Sequence, residues 1–275
     1  MIGVMQGRLS PPIGDKIQEF PRNSWEKEFS SAKSLSLRMI EWTLDHHRLH
    51  ENPIMDQSKS RLIRKLSEEN GISVKSITLD CFLEAPIHRS NPLTGLKSRI
   101  DDFEAVVKLV SQKGVEIGVL PLVVESGVDD RESLGVLIMM LQQLESLCLQ
   151  NNFRIALECE FNLEQLEWIA AQIETLPHVG FNFDIGNSAS LGNDPINELE
   201  IYGTKLFNVH IKDRKYLGKT VPLGLGDAEF EVIAKELKKM NYNGNMILQA
   251  ARKERGRETD TINEYMVFCS TFGWC

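Results

Sequence analysis

The chain has 275 residues, enough for one large domain or two ordinary ones. Its hydrophobic share of 42% and charged share of 25% are those of an ordinary soluble globular protein. A net charge of -8 argues against nucleic-acid binding through a broad basic surface, though not against a local basic pocket.

The five cysteines (Cys81, Cys148, Cys159, Cys269 and Cys275) are odd in number and form no C-x-x-C pair. Neither a disulfide framework nor a zinc knuckle is expected, and free thiols point to a reducing cytoplasm. The start, MIGVMQGR, lacks the basic and apolar regions of a signal peptide. No run approaches the roughly eighteen apolar residues of a membrane span, so no membrane partner is expected.

Taken in order, Ile2 to Met5 reads as a first strand, ending in Gln6, Gly7 and Arg8. Leu9 to Asn23 contains Pro11, Pro12, Gly14 and Pro21 and reads as a long loop. Ser24 stands in capping position before a helix with Trp25, Phe29, Ala32 and Leu35 at helical spacing. Leu37 to Trp42 is a second strand, bearing Glu41. Leu62, Ile63 and Leu66 form a helical stripe stopped by Asn70-Gly71.

Ile72 to Leu79 reads as a third strand, Asp80 to Gly95 as loop, Ile100 to Val110 as helix, and Ile117 to Val124 as a fourth strand. Leu134 to Leu149 is the longest expected helix. Ile155 to Glu158 is a fifth strand, followed by a helix that Asn162 caps and that carries Leu166, Ile169 and Ile173. Val179 to Phe183 is a sixth strand ending in Asp184, Leu206 to Ile211 a seventh, and Met246 to Leu248 an eighth. Phe230, Ile233, Ala234 and Leu237 mark the helix between the last two strands, and Ile262, Tyr265, Met266 and Phe268 mark the final one.

Strands that alternate with helices build a parallel sheet, and eight such units in a chain of this length predict a single-domain (β/α)8 TIM barrel over residues 1–275. The runner-up is an open doubly wound sheet. No G-x-G-x-x-G follows the first strand, which weakens its dinucleotide-binding form.

In such a barrel the active site lies where the strands end. Those ends carry Gln6 and Arg8, Glu41, Asp80, Glu125, Glu158, Asp184, His210 and Gln249. The segment KLFNVHIKDR shows the change most sharply: an apolar strand gives way to His210, Lys212, Asp213 and Arg214 within five positions. Glu158, Asp184 and His210 are the natural metal set, since two carboxylates and a neutral imidazole suit Mn²⁺, Mg²⁺, Co²⁺ or Zn²⁺. The alternatives are a rim carboxylate at Glu158 and a helix cap at Asp184.

The segments ALECEF, NFDIGNS, VHIKDR and LGLGDAEF, with VMQGRLSP and MIEW before them, resemble the xylose isomerase-like barrels, the sugar-phosphate isomerase/epimerase superfamily. The resemblance implies a divalent metal held by Glu158, Asp184 and His210 and by a fourth residue at the end of strand eight. That position is a glutamate in typical epimerases of the group and Gln249 here. An amide oxygen ligates weakly and carries no proton, which puts epimerisation between two carboxylates in doubt. The superfamily's zinc-dependent apurinic endonucleases need a histidine-rich site. Here Asn187 stands three residues after Asp184, so DNA repair ranks low.

The chemistry expected from these groups is isomerisation or epimerisation of a sugar or sugar phosphate through an enediolate. Glu158 is the first candidate base and Glu41 the second. Gln6 and Arg8 belong to the substrate side. Lys212, Arg214 and the backbone at Gly226 suit a phosphate or carboxylate, with Arg252 as a further cation and Asp227 as a helix cap. A barrel that binds sugar without turning it over, and a metal-dependent lyase or hydrolase, are the alternatives. His46, His47 and His50 lack the H-E-x-x-H spacing, and His88 and His178 show no partner. Exposed barrel helices commonly pair, which leaves a homo-oligomer open.

Overall fold

The structure is a computed structural model that describes residues 1–14, 18–83, 86, 95–123 and 131–274. Eight parallel strands close into a barrel. They are β1 (Ile2–Met5), β2 (Met39–Thr43), β3 (Ser76–Thr78), β4 (Ile117–Leu122), β5 (Arg154–Cys159), β6 (Val179–Asp184), β7 (Leu206–Ile211) and β10 (Asn245–Leu248). Each pairs with its sequence neighbours, and β10 closes onto β1 through Ile2↔Met246, Gly3↔Ile247 and Val4↔Leu248. The eight-unit reading therefore holds, and the open sheet is excluded because the barrel has no free edge.

Helices α1 (Trp25–Ser34), α2 (Ser60–Asn70), α3 (Leu96–Ser111), α4 (Arg131–Asn151), α5 (Leu163–Gln172), α8 (Phe230–Lys239) and α9 (Glu258–Ser270) alternate with the strands. The periodicity missed two short helices, α6 (Ile185–Leu191) and α7 (Pro195–Tyr202), and a two-stranded antiparallel hairpin, β8 (Asp213–Arg214) with β9 (Thr220–Val221). They are too short for a repeating apolar stripe. Their signals are local: Asp184 and Asp194 cap the two helices by accepting backbone N–H bonds, and Pro195 sits at the first helical position.

Some bounds move. The second strand starts at Met39, because the Leu37 N–H still bonds Ala32 O at the end of α1. The third is only Ser76–Thr78 long. Val124 lies outside the described residues. Ser24 precedes α1 but makes no side-chain cap; its Oγ donates to Ser10 Oγ at 2.9 Å instead. Asn162 does cap α5, in a reciprocal capping box with Gln165. Asp227 does not cap α8: it accepts from Tyr216 N at 2.7 Å and Lys215 Nζ at 3.2 Å.

The main apolar core fills the shell between barrel and helices. Trp42 stacks edge-on with Trp25 of α1 at 5.4 Å, and Phe181 lies against Tyr202 of α7 at 4.5 Å. Within α4, Ser133–Asn151 is long and apolar enough by composition to cross a membrane, contrary to the reading of the sequence. It nevertheless buries Leu137, Met140, Leu141, Leu144 and Cys148 and leaves Gln142, Gln143 and Ser146 exposed, the pattern of a helix docked on a core. Cys81, Cys148, Cys159 and Cys269 are buried free thiols.

Candidate active site

Strand register places the polar groups before any side chain is considered. Asp184 and His210 are Cα partners across β6 and β7, and Glu158 faces Asn182 across β5 and β6. Residues two apart on a strand share a face, so Asn182 sides with Asp184 and Asn208 with His210. One atom each from Glu158, Asp184 and His210 lies within 4.8 Å of the others, and all three residues are buried. Among the described residues no other group of three or more His, Cys, Asp or Glu side chains could hold a metal ion.

His210 is wholly buried between two carboxylates. Its Nε2 lies 2.6 Å from Glu41 Oε1, and its Nδ1 lies 3.4 Å from Glu158 Oε2 without a hydrogen bond. Burial alone would lower its pKa, but Glu41 and Glu158 outweigh burial and hold it well above the ordinary value. Burial raises the pKa of Glu158, with the charge of His210 opposing. Burial pushes Asp184 in the same direction, yet Lys212 and His210 prevail and hold it below the usual range. Lys212 Nζ lies 2.9 Å from Asp184 Oδ2.

Asn187 ties this group together. Its N–H donates to Asp184 Oδ1 at 2.9 Å and its Nδ2 to Glu158 Oε1 at 3.3 Å. Its Oδ1 accepts from Lys212 at 3.1 Å and from Arg214 Nη1 at 2.9 Å, and Arg214 also pairs with Glu160 at 2.6 Å. Asp184 is thus both a helix cap and a member of the cluster; the two readings of it do not compete.

A second polar group lies around the ends of β1, β3 and β10. Gln249 Nε2 reaches toward Gln18 Oε1 at 3.5 Å, and Gln18 Nε2 donates to Asp80 Oδ2 at 2.7 Å. Thr78 Oγ1 donates to the same oxygen at 3.1 Å. Gln249 Oε1 is buried with no donor. Burial, with the nearby charge of Glu158, raises Asp80 to about 6 against the hydrogen bonds from Gln18 and Thr78. An aspartate whose native value exceeds its ordinary 3.8 loses stability as pH rises, because the unfolded chain releases its proton first. Asp80→Asn is therefore expected to stabilise the protein by about 1–3 kcal/mol at pH 8 and to change little near pH 3.5. Urea unfolding at both pH values checks this, and a loss of stability at pH 8 contradicts it.

Other residues singled out in the sequence have different surroundings. Gln6 Oε1 accepts from Thr43 N at 3.1 Å, and its buried Nε2 has no hydrogen-bond partner. Arg8 is buried near Asp80 and Glu28; burial and Arg252 lower its pKa to about 9. Arg252 does not present a free cation to a ligand. Its Nη1 donates to Ser10 O at 2.9 Å and its Nη2 to Gly7 O at 2.6 Å, and Glu28 accepts from the N–H groups of Gly7 and Leu9, so the two brace the loop after β1 from either side. Gly226 does not open its backbone to a ligand either: its N–H bonds Asp213 Oδ2 at 2.8 Å, and a Cβ there would lie 1.8 Å from Asp213 Oδ1.

Glu41 and Lys212 join the central group directly, and Arg214 joins through Asn187. Gly226 and Arg252 are engaged elsewhere. His46, His47 and His50 are exposed. A cavity of about 440 Å³ that includes His47, Phe20 and Arg22 shares no residue with the central group. His178 has a partner after all, Glu145 Oε1 at 2.5 Å. Glu125 and His88 lie outside the described residues. Reading strand ends alone passed over Asn182 and Asn208, although an amide inside a buried strand two positions before Asp184 or His210 was a visible signal.

The central donors fit a divalent cation. They offer hard carboxylate oxygens and one imidazole nitrogen at converging positions, and His210 Nδ1 is buried with no hydrogen bond. A closed parallel barrel with an acidic, cation-fitting centre on its strand ends defines the class, a (β/α)8 barrel with a candidate metal centre. The chain belongs to the xylose isomerase-like TIM barrel family, whose model matches residues 29–266. Among solved structures it is similar to a xylose isomerase domain protein from Planctomyces limnophilus, at 19% identity and a TM-score of 0.71 over 98% of this chain and 95% of that one. A D-psicose 3-epimerase solved in the presence of D-fructose gives 12% identity and a TM-score of 0.75, covering 100% of this chain and 99% of the other. A 3-keto-D-glucoside 4-epimerase from E. coli gives 15% and 0.70, covering 98% of each. No curated protein sequence matches the chain.

Proposed function

We propose that the protein is a divalent-metal-dependent isomerase or epimerase of a sugar or sugar phosphate that works by proton transfer through an enediolate. The observation that carries this reading is the convergence of Glu158, Asp184 and His210 within 4.8 Å. Structural likeness to a psicose 3-epimerase and a keto-glucoside 4-epimerase supports it. Glu158, Asp184 and His210 would hold the cation, with the amide oxygen of Gln249 as a fourth donor. The cation, when bound, supplies Lewis-acid stabilisation of negative charge on the substrate's oxygens.

The chain's own residues do the rest. Glu158 accepts a proton from the carbon next to the carbonyl. The C–H bond breaks, its electron pair enters the enediolate double bond, and the proton rests on the carboxylate until it returns to carbon. Asn187 orients the carboxylate through Oε1. Lys212 places a positive charge beside the reacting oxygens, and Arg214 and Glu160 hold Asn187 and the hairpin in place.

Glu41 is not the second base. It is fully buried, and both its oxygens are engaged, by His210 and by Asn208. Because Gln249 carries no proton, Asp80 is the better second proton carrier, being acidic, close to Glu158 and linked to Gln249 through Gln18.

The test is incubation of the Mn²⁺-loaded protein in D₂O with D-psicose, D-fructose, D-tagatose and their phosphates, followed by NMR and product analysis. Deuterium entering carbon together with a new isomer is the expected result. Tight binding without exchange would favour a sugar-binding barrel, the reading that Gln249 motivates. Cleavage products would favour a lyase or hydrolase.

A further inference from the structure

We infer that Glu41, on β2, is a positioning residue that fixes which ring nitrogen of His210 carries hydrogen, and so points a bare Nδ1 lone pair at Glu158 and Asp184. The inference deepens the reading above and rests on it. Glu41 and His210 come from strands separated in the barrel by β1 and β10, 169 positions apart in the chain, and neither has any exposed surface. At 2.6 Å from Nε2, an ionised carboxylate oxygen only accepts, so Nε2 must donate. With a cation in the cluster the imidazole is neutral, and the other nitrogen, Nδ1, is then free of hydrogen.

The carboxylate itself is held at its second oxygen as well. Asn208 Nδ2 donates to Glu41 Oε2 at 3.0 Å and to Asn182 Oδ1 at 2.8 Å. The chain Asn182–Asn208–Glu41–His210 thus runs across the inside of the barrel and ends on the imidazole. Its members come from β6, β7 and β2, strands whose places are set by barrel closure. A buried carboxylate whose oxygens are taken by an imidazole and an amide is ill-placed to touch a sugar. It is well placed to orient a ligand, as carboxylates behind metal-binding histidines do.

Glu41→Gln tests the inference with little change of shape. The new side chain must turn its oxygen to the Asn208 amide, which leaves its NH₂ facing Nε2. His210 then accepts at Nε2 and carries its hydrogen on Nδ1, toward the cluster. The expected result is Mn²⁺ binding weakened by about 10- to 100-fold in calorimetry. In the Zn²⁺-loaded wild type, ¹⁵N NMR should show His210 bound through Nδ1 with hydrogen on Nε2, a signature lost in the variant. Asn208→Leu, which keeps Glu41 but frees its second oxygen, should weaken binding less and serves if Glu41→Gln does not fold. Unchanged Mn²⁺ affinity in the folded variant, or zinc coordination through Nε2 in the wild type, overturns the inference alone. A wild type that binds no Mn²⁺ overturns the metal-dependent reading as well.

Discussion

Asp184→Asn protein should bind Mn²⁺ at least about 100-fold more weakly than wild type, losing the stabilisation that a native-state ligand confers. Asparagine keeps an oxygen for the Asn187 N–H, so the cap on α6 survives and the change falls on the charge. Two effects then add. One of the two carboxylates in the cluster becomes a weak neutral donor. Lys212, 2.9 Å from Asp184 Oδ2, also loses its counter-ion, and its ammonium repels an incoming cation. At a Mn²⁺ concentration 100 times its Kd, wild-type protein should gain about 2.7 kcal/mol of stability, seen as a rise in unfolding temperature. The variant should show almost none of that rise, and turnover in the D₂O assay should fall with it. Equal thermal shifts in the two proteins would remove Asp184 from the metal site.

The second large effect concerns stability. Asp213 is 1% exposed, and its carboxylate accepts the backbone N–H groups of Gly224 at 2.9 Å, Gly226 at 2.8 Å and Ala228 at 3.3 Å. The segment after the hairpin is wrapped around this one side chain. Asp213→Ala removes the acceptor and leaves three donors to find water, at an expected cost of about 3–5 kcal/mol in urea unfolding. Gly226→Ala should cost a comparable amount for the opposite reason, since its Cβ would lie 1.8 Å from Asp213 Oδ1 and 2.7 Å from Arg214 O. The two changes should be far from additive. With the carboxylate gone, the methyl group meets mainly the Arg214 carbonyl, and the double variant should be more stable than the sum predicts. Strict additivity would show that the loop is not organised by Asp213.

The glycine-rich segment shows how a sequence signal can be right in kind and wrong in object. Its N–H groups do cradle an anion, as glycine turns can, but the anion is the protein's own Asp213. Arg252 is similar. A cation just past the last strand looks free in the sequence, yet the returning loop after β1 supplies carbonyls that occupy it. Both partners lie far from their signals along the chain, and no local window contains them.

Periodicity, breakers and caps act over a few residues, so the chain itself determined the eight strand–helix units, their order and the polarity of the strand ends. Those ends already named Glu158, Asp184 and His210 as a set. Only the closed barrel decided that the three meet within 4.8 Å, that Glu41 stands behind His210, and that Gln249 turns toward Gln18 and Asp80. These placements depend on strand register and on contacts between residues up to 231 positions apart. Geometry of that range is fixed by packing and hydrogen bonding across the whole sheet, and a stretch of sequence read by itself does not contain it.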